Sequence, residues 1–176
     1  MTAEEFVAEL AKSAPSMEGL LKQGLTKKAA QAFRGSLTPK QRAQPIRAPK
    51  GAGEVGRLLA FYDCSRVEVG MVRFGEAPVR RGGRWEIGLV EADQLVIDSK
   101  SGILEVLELG HPSHVLWQCA ASGEAFLGAL SRASAVLSQR AIGEIPKKTL
   151  AKQLLDCVAL AGGAEYEGFF KMLIGV

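Results

Sequence analysis

The feature that most constrains this fold is a run of short alternating segments between Val67 and Ala120, joined by turns too tight to hold a helix. Val67–Phe74 sets Val67, Val69, Met71 and Arg73 against Glu68, Gly70, Val72 and Phe74, which predicts one strand. Glu76–Gly83, with Pro78 and Gly82-Gly83, reads as a loop. Trp85, Ile87 and Leu89 share a face of the next strand, and Glu91-Ala92-Asp93-Gln94 turns the chain. Leu95–Ile97 is a short apolar strand. Asp98-Ser99-Lys100-Ser101-Gly102 is a hairpin loop whose glycine is free to take positive φ. Ile103–Leu109 alternates again, and His114–Ala120 closes the run as a last strand or extended segment.

Helical signals flank the strands. Thr2 and Glu5 form a capping-box pair ahead of Phe6, Val7 and Leu10, and Ser13-Ala14-Pro15 ends that helix. Ser16 caps a short second helix, and Thr26 caps a third over Lys27–Arg34 with Ala29, Ala30 and Phe33 inward. Ser36–Gly53 lacks periodicity and reads as a loop. Val55, Leu58, Leu59 and Tyr62 then carry helical spacing over Glu54–Tyr62. After the strands, Ser122 caps a helix bearing Phe126, Leu127, Leu130, Ala133, Val136 and Leu137. Lys148–Leu160 is a further helix, and Glu165–Ile174 is a helix or a strand.

Helices, then strands, then helices make an α+β chain with a largely antiparallel sheet of about five or six strands. The 176 residues suit one domain: an N-terminal helical basic segment (1–53), a sheet region (54–121) and C-terminal helices (122–176).

Net charge is only +3, but it is unevenly placed. Between Gly19 and Gly53 there is no Asp or Glu, while Lys22, Lys27, Lys28, Arg34, Lys40, Arg42, Arg47 and Lys50 all fall there. Such a block is either a solvated surface or an electrostatic footprint for an anionic partner. Cys64, Cys119 and Cys157 are widely spaced and odd in number, as expected of reduced, buried thiols. No apolar run approaches the ~20 residues of a membrane span. The acidic N-terminus argues against a secretory signal, so the chain is expected to be a cytoplasmic protein with no membrane partner.

The chemical motifs are weak. Gly51-Ala52-Gly53-Glu54-Val55-Gly56 matches G-x-G-x-x-G, but no strand signal feeds it, so no dinucleotide is expected. His111 and His114 with Cys119 fall short of a zinc set, and no metal or cofactor is expected. Nothing arranges a nucleophile, base and orienter. Asp98 with Glu91 or Asp93 is conceivable as an acid–base pair, yet Asp98 is more simply a turn former. The chain is therefore expected not to be an enzyme. Trp85 and Trp117 are either partner anchors, with Arg80, Arg81 and Arg84 flanking Trp85, or core residues on adjacent strands.

A family resemblance rests on Phe61-Tyr62-Asp63, Val69-Gly70-Met71-Val72-Arg73-Phe74-Gly75, Trp85-Glu86-Ile87-Gly88, Leu95-Val96-Ile97-Asp98, Ser101-Gly102, Glu105-Val106 and Ala120-Ala121-Ser122-Gly123-Glu124-Ala125-Phe126-Leu127. Over roughly Glu54 to Leu137 this pattern of apolar positions and turns resembles the SUKH superfamily. The resemblance implies an immunity protein that binds a cognate bacterial toxin, such as a nuclease or deaminase, and blocks it without catalysis of its own. No binding residue carries over by position.

A basic toxin would favour an acidic face, which Glu86, Glu91, Asp93, Glu105 and Glu108 can supply, with Arg81, Arg84 and Trp85 beside it. An acidic toxin would favour the basic segment instead. The alternative reading is a nucleic-acid-binding protein using residues 22–50, although only Phe33 offers a stacking ring there.

Overall fold

The computed structural model describes the backbone of all 176 residues and every side chain except those of Lys147 and Lys148. Three helices lead the chain: α1 (Ala3–Ser13), α2 (Met17–Lys22) and α3 (Lys27–Gly35). Thr2, Ser16 and Thr26 each accept a backbone N–H of the first turn, and Glu5 completes the capping box at Thr2. The expected loop after α3 contains a two-residue strand, β1 (Lys40–Gln41), which pairs with β2 (Tyr62–Asp63) at the end of α4 (Gly53–Phe61). The Arg42 and Ile46 amides donate to the Phe61 and Ala60 carbonyls at 2.9 and 3.0 Å, so the basic segment is strapped along α4.

The main sheet is a six-stranded antiparallel meander in chain order: β3 (Glu68–Val69), β4 (Val72–Arg81), β5 (Arg84–Val90), β6 (Asp93–Asp98), β7 (Leu104–Leu107) and β8 (Val115–Ala120). Four sequence expectations are corrected here. The strand expected over Val67–Phe74 is a hairpin. Gly70, at φ +60°, turns the chain between Val69 and Val72, so that Val67, Val69, Val72 and Phe74 all reach the core. The loop expected at Glu76–Gly83 is mostly strand. Pro78 falls within a register break between Phe74 and Val79, and pairing resumes to Arg81 before the Gly82-Gly83 turn.

The shared face of Trp85, Ile87 and Leu89 is broken by a bulge between Glu86 and Gly88. That bulge moves Leu89 to the other face, where it pairs with Arg73. A Cβ on Gly88 would collide with the Arg73 carbonyl and lie 3.0 Å from Phe74 Cα, so the bulge requires glycine. Finally, Trp85 and Trp117 are not on adjacent strands, because β6 and β7 separate β5 from β8.

Four elements complete the chain: α5 (Gly123–Ala141), α6 (Lys147–Ala161), a 3₁₀ turn (Ala164–Tyr166) and α7 (Glu167–Ile174). Ser122 caps α5, as its sequence predicts. The inner sheet face packs with α1, α4, α5 and α7 around one apolar cluster, in which Phe6, Phe74, Phe126, Tyr166, Phe169 and Phe170 are the aromatic members. The Phe6 and Phe74 rings meet edge to face at 6.2 Å. Within α3, only Ala30 is buried. Ala29 is exposed and Phe33 half-buried, so the expected three-residue inward face is thinner than its spacing suggests. No helix among the described residues is long and apolar enough to cross a membrane.

Candidate functional site

Cross-strand partners share a face of a sheet, so the register sorts the side chains. Trp85, Ile97, Leu104 and Ala120 align on the inner face. Glu86, Val96, Glu105 and Gln118 align on the outer one, with Arg84 opposite Asp98 and Gln94 opposite Leu107. Val96 and Leu107 are only 3% and 2% exposed, yet both stand outside the core cluster. Something other than the helices therefore covers them.

The cover is the curl of the sheet and the β7–β8 connection. Arg84 reaches from β5 across β6, where one guanidinium nitrogen lies 3.3 Å from Glu105 Oε2 and the other donates to the Pro112 carbonyl at 3.1 Å. Beneath this bridge is a cleft of about 530 Å³, floored by Val96 and Leu107, walled by the Arg81–Arg84 turn and rimmed by Pro112. Volumes of several hundred Å³ are typical of ligand-binding clefts.

The cleft holds incompletely satisfied polar groups. Arg84 Nε is buried without a partner. Glu86 Oε2 lies 2.8 Å from Arg81 Nε but off the hydrogen-bonding direction, so it is ion-paired without being hydrogen-bonded. Arg81 is largely exposed, and a pair of that kind contributes little. Both atoms are closed to solvent, while the rest of the Arg84 and Glu86 side chains is partly exposed over the apolar floor.

The remaining residues singled out by sequence fall around this cleft or away from it. Glu108 stands at the start of the rim loop, 2.7 Å from His114 Nδ1 and 3.6 Å from His111 Nδ1. The hydrogen bond with His114 holds its carboxyl below the usual glutamate range. Asp93 accepts the Leu109 amide at 2.9 Å and anchors the same loop from β6. Glu91 sits in the β5–β6 turn at φ +55°, the left-handed region uncommon for a non-glycine residue. Arg73 donates to its carbonyl at 2.6 Å. Trp85 lies on the inner face, away from the cleft, with the Arg80 guanidinium 5.5 Å from its ring. Trp117 is 37% exposed at the β8 edge and packs on Gly168 of α7.

The other motifs resolve structurally. The G-x-G-x-x-G segment enters α4 from a turn, with no strand before it. The Glu124 carboxylate lies beside that helix start, 3.5 Å from where a Cβ on Gly53 would be. The position where a phosphate would need to bind is thus taken by the chain's own carboxylate. Among the described residues, no three His, Cys, Asp or Glu side chains are grouped to hold a metal ion. In the basic segment Lys22 pairs with Glu18, and Arg42 is spent on the carbonyls of Leu59 and Glu76. Lys27, Lys28, Arg34, Lys40, Arg47 and Lys50 are exposed and make no ion pair among the described residues.

The floor of the cleft was not anticipated, although a signal for it exists. Three consecutive apolar residues, Leu95-Val96-Ile97, require cover on both faces of β6, as in a doubly buried strand. Pro112 gave no signal, because its role is a carbonyl offered across the sheet. No family model, no curated protein and no solved structure matches this chain.

Proposed function

We propose that this chain is a binding protein without catalysis of its own, which neutralises a cognate protein toxin by seating part of it in the outer-face cleft. The observation that carries this reading is the cleft itself. It combines an apolar floor with the partly exposed Arg84 and Glu86 side chains, a combination suited to a partner's polar side chain or loop. Interface anchors concentrate in small desolvated pockets of this kind, with arginine prominent among them. The resemblance of Glu54–Leu137 to SUKH immunity proteins supports a toxin as the partner. Glu86, Glu105 and Glu108 on or beside the cleft favour a toxin with a basic active site, such as a nuclease or deaminase.

The test is capture of the tagged full chain from its own organism at low and high salt, followed by growth assays with whatever protein is retained. The expected result is one protein retained at high salt that arrests growth when expressed alone and is harmless when co-expressed with this chain. Arg81→Glu or Glu86→Gln should weaken the complex by roughly 30-fold, the scale of an interface hot spot. Lys27→Glu and Lys28→Glu should leave it unchanged. Recovery of nucleic acid alone, lost at high salt, would overturn the proposal and move the function to residues 22–50.

A further inference from the structure

The outer cleft is closed at its base. Val96 and Leu107 floor it but are only 3% and 2% exposed, so a partner cannot reach that apolar surface while the β7–β8 connection stays in place. Gly110, Pro112 and Ser113 of that connection line the same cleft. Residues 109–114 are all exposed, and none belongs to the core cluster. They are nevertheless a compact body. The Glu108 amide donates to the His114 carbonyl at 3.1 Å, the His111 amide to the Glu108 carbonyl at 3.0 Å, and the His114 amide to the His111 carbonyl at 2.9 Å. Among the described residues, two hydrogen bonds tie this body to the rest of the molecule. One runs from the Leu109 amide to Asp93, and the other from Arg84 to the Pro112 carbonyl.

The strand ladder beneath the connection is already interrupted. The last β7–β8 pair, Leu107 with Val115, is set off from the Val106–Trp117 pair by a bulge that leaves Leu116 without a partner on β7. A segment with few buried contacts and few ties opens locally at low cost. Arg84 is the fastening that spans the gap, since it alone reaches from β5 both to Glu105 on β7 and to the Pro112 carbonyl. We infer that residues 109–114 form a lid, latched by Arg84, which swings about the ends of β7 and β8 and uncovers Val96 and Leu107. The opening is a property of the free chain. That it admits a toxin segment rests on the binding reading proposed above, in which the partner selects the open state.

Leu107→Cys and Val96→Cys each place a thiol under the lid. The full chain is treated with iodoacetamide, and the labelled positions are followed over time by mass spectrometry. The expected result is that both new thiols react at similar rates, well ahead of the buried Cys64, Cys119 and Cys157 in the same molecules. Those three serve as internal reporters of unfolding, so the difference isolates lid opening. Arg84→Gln should raise both floor rates at least ~10-fold, the worth of a lost hydrogen bond from a charged group, and leave the three native cysteines slow. Asp93→Ala, which removes the other tie, should raise them as well. Floor thiols that react only together with the native three would overturn the inference, since nothing would then open short of unfolding. So would floor thiols that react at once in the otherwise unaltered chain, or rates that stay unchanged in both Arg84→Gln and Asp93→Ala. Failure to capture a toxin would sink the binding reading and leave these rates as they are.

Discussion

Asp98 shows what a single residue's chemistry decides. Its carboxylate accepts the Lys100 and Ser101 amides at 3.0 and 2.8 Å and the Ser101 hydroxyl at 3.1 Å. Those bonds, the Ser101 amide foremost, hold its carboxyl below the usual aspartate range. A lowered folded-state pKa gives stability that is present above the unfolded value and is lost as pH falls through the folded one. Asp98→Ala should therefore melt below wild type at neutral pH, with the gap closing below about pH 4, as thermal melts across pH 2–7 would record. A gap that persists at pH 2 would mean that the side chain acts by shape rather than by charge. The turn role of Asp98 was legible because Asp followed by Ser and Gly has a local reason to fold. The helix caps at Thr2, Ser16, Thr26 and Ser122 were legible for the same reason, since each is decided within four residues. The unused capacity of Arg84 and Glu86 was not, because it depends on which side chains three strands bring together.

At the scale of elements, the errors fall where a local pattern had two continuations. Alternation through Gly70 reads equally as one strand or as two strands with a glycine at the turn, and only burial of both halves selects the hairpin. Gly82-Gly83 signalled a turn, but not that β4 would run on past Pro78, and the bulge at Gly88 went unread. The helices differ in how firmly they are held. Positions along most of α5 are buried between the sheet and α1, α4, α6 and α7, whereas α3 buries Ala30 alone. Local opening follows buried contact, so backbone amides of α5 should exchange with solvent only on global unfolding, and those of α3 at least ~100-fold faster. Hydrogen-exchange mass spectrometry would resolve this, and equal protection in the two helices would contradict it.

For the molecule as a whole, the three cysteines report on cooperativity. Cys64, Cys119 and Cys157 are fully buried and unpaired. Burial pushes the thiols of Cys64 and Cys157 up to about 12, and that of Cys119 well above its ordinary value. A thiol reagent at pH 8 should therefore label none of them in the native protein and all three after denaturation. Fast labelling of Cys64 alone would reveal an independent opening at the Asp63–Ser65 turn. The order of the sheet has a different consequence. Each strand pairs with the next to emerge, so the meander can close as the chain is made. Helix α1 has no such neighbour: Phe6 and Leu10 belong to the same cluster as α5, and Ser13 meets Ser134 across 121 residues of sequence. At roughly 5–20 residues per second of synthesis, that separation leaves the first helix waiting about 6–24 s for its partner. During that interval its apolar stripe has only α4 and Phe74 of β4 to cover it, which makes α1 the segment of this chain with most to gain from a chaperone.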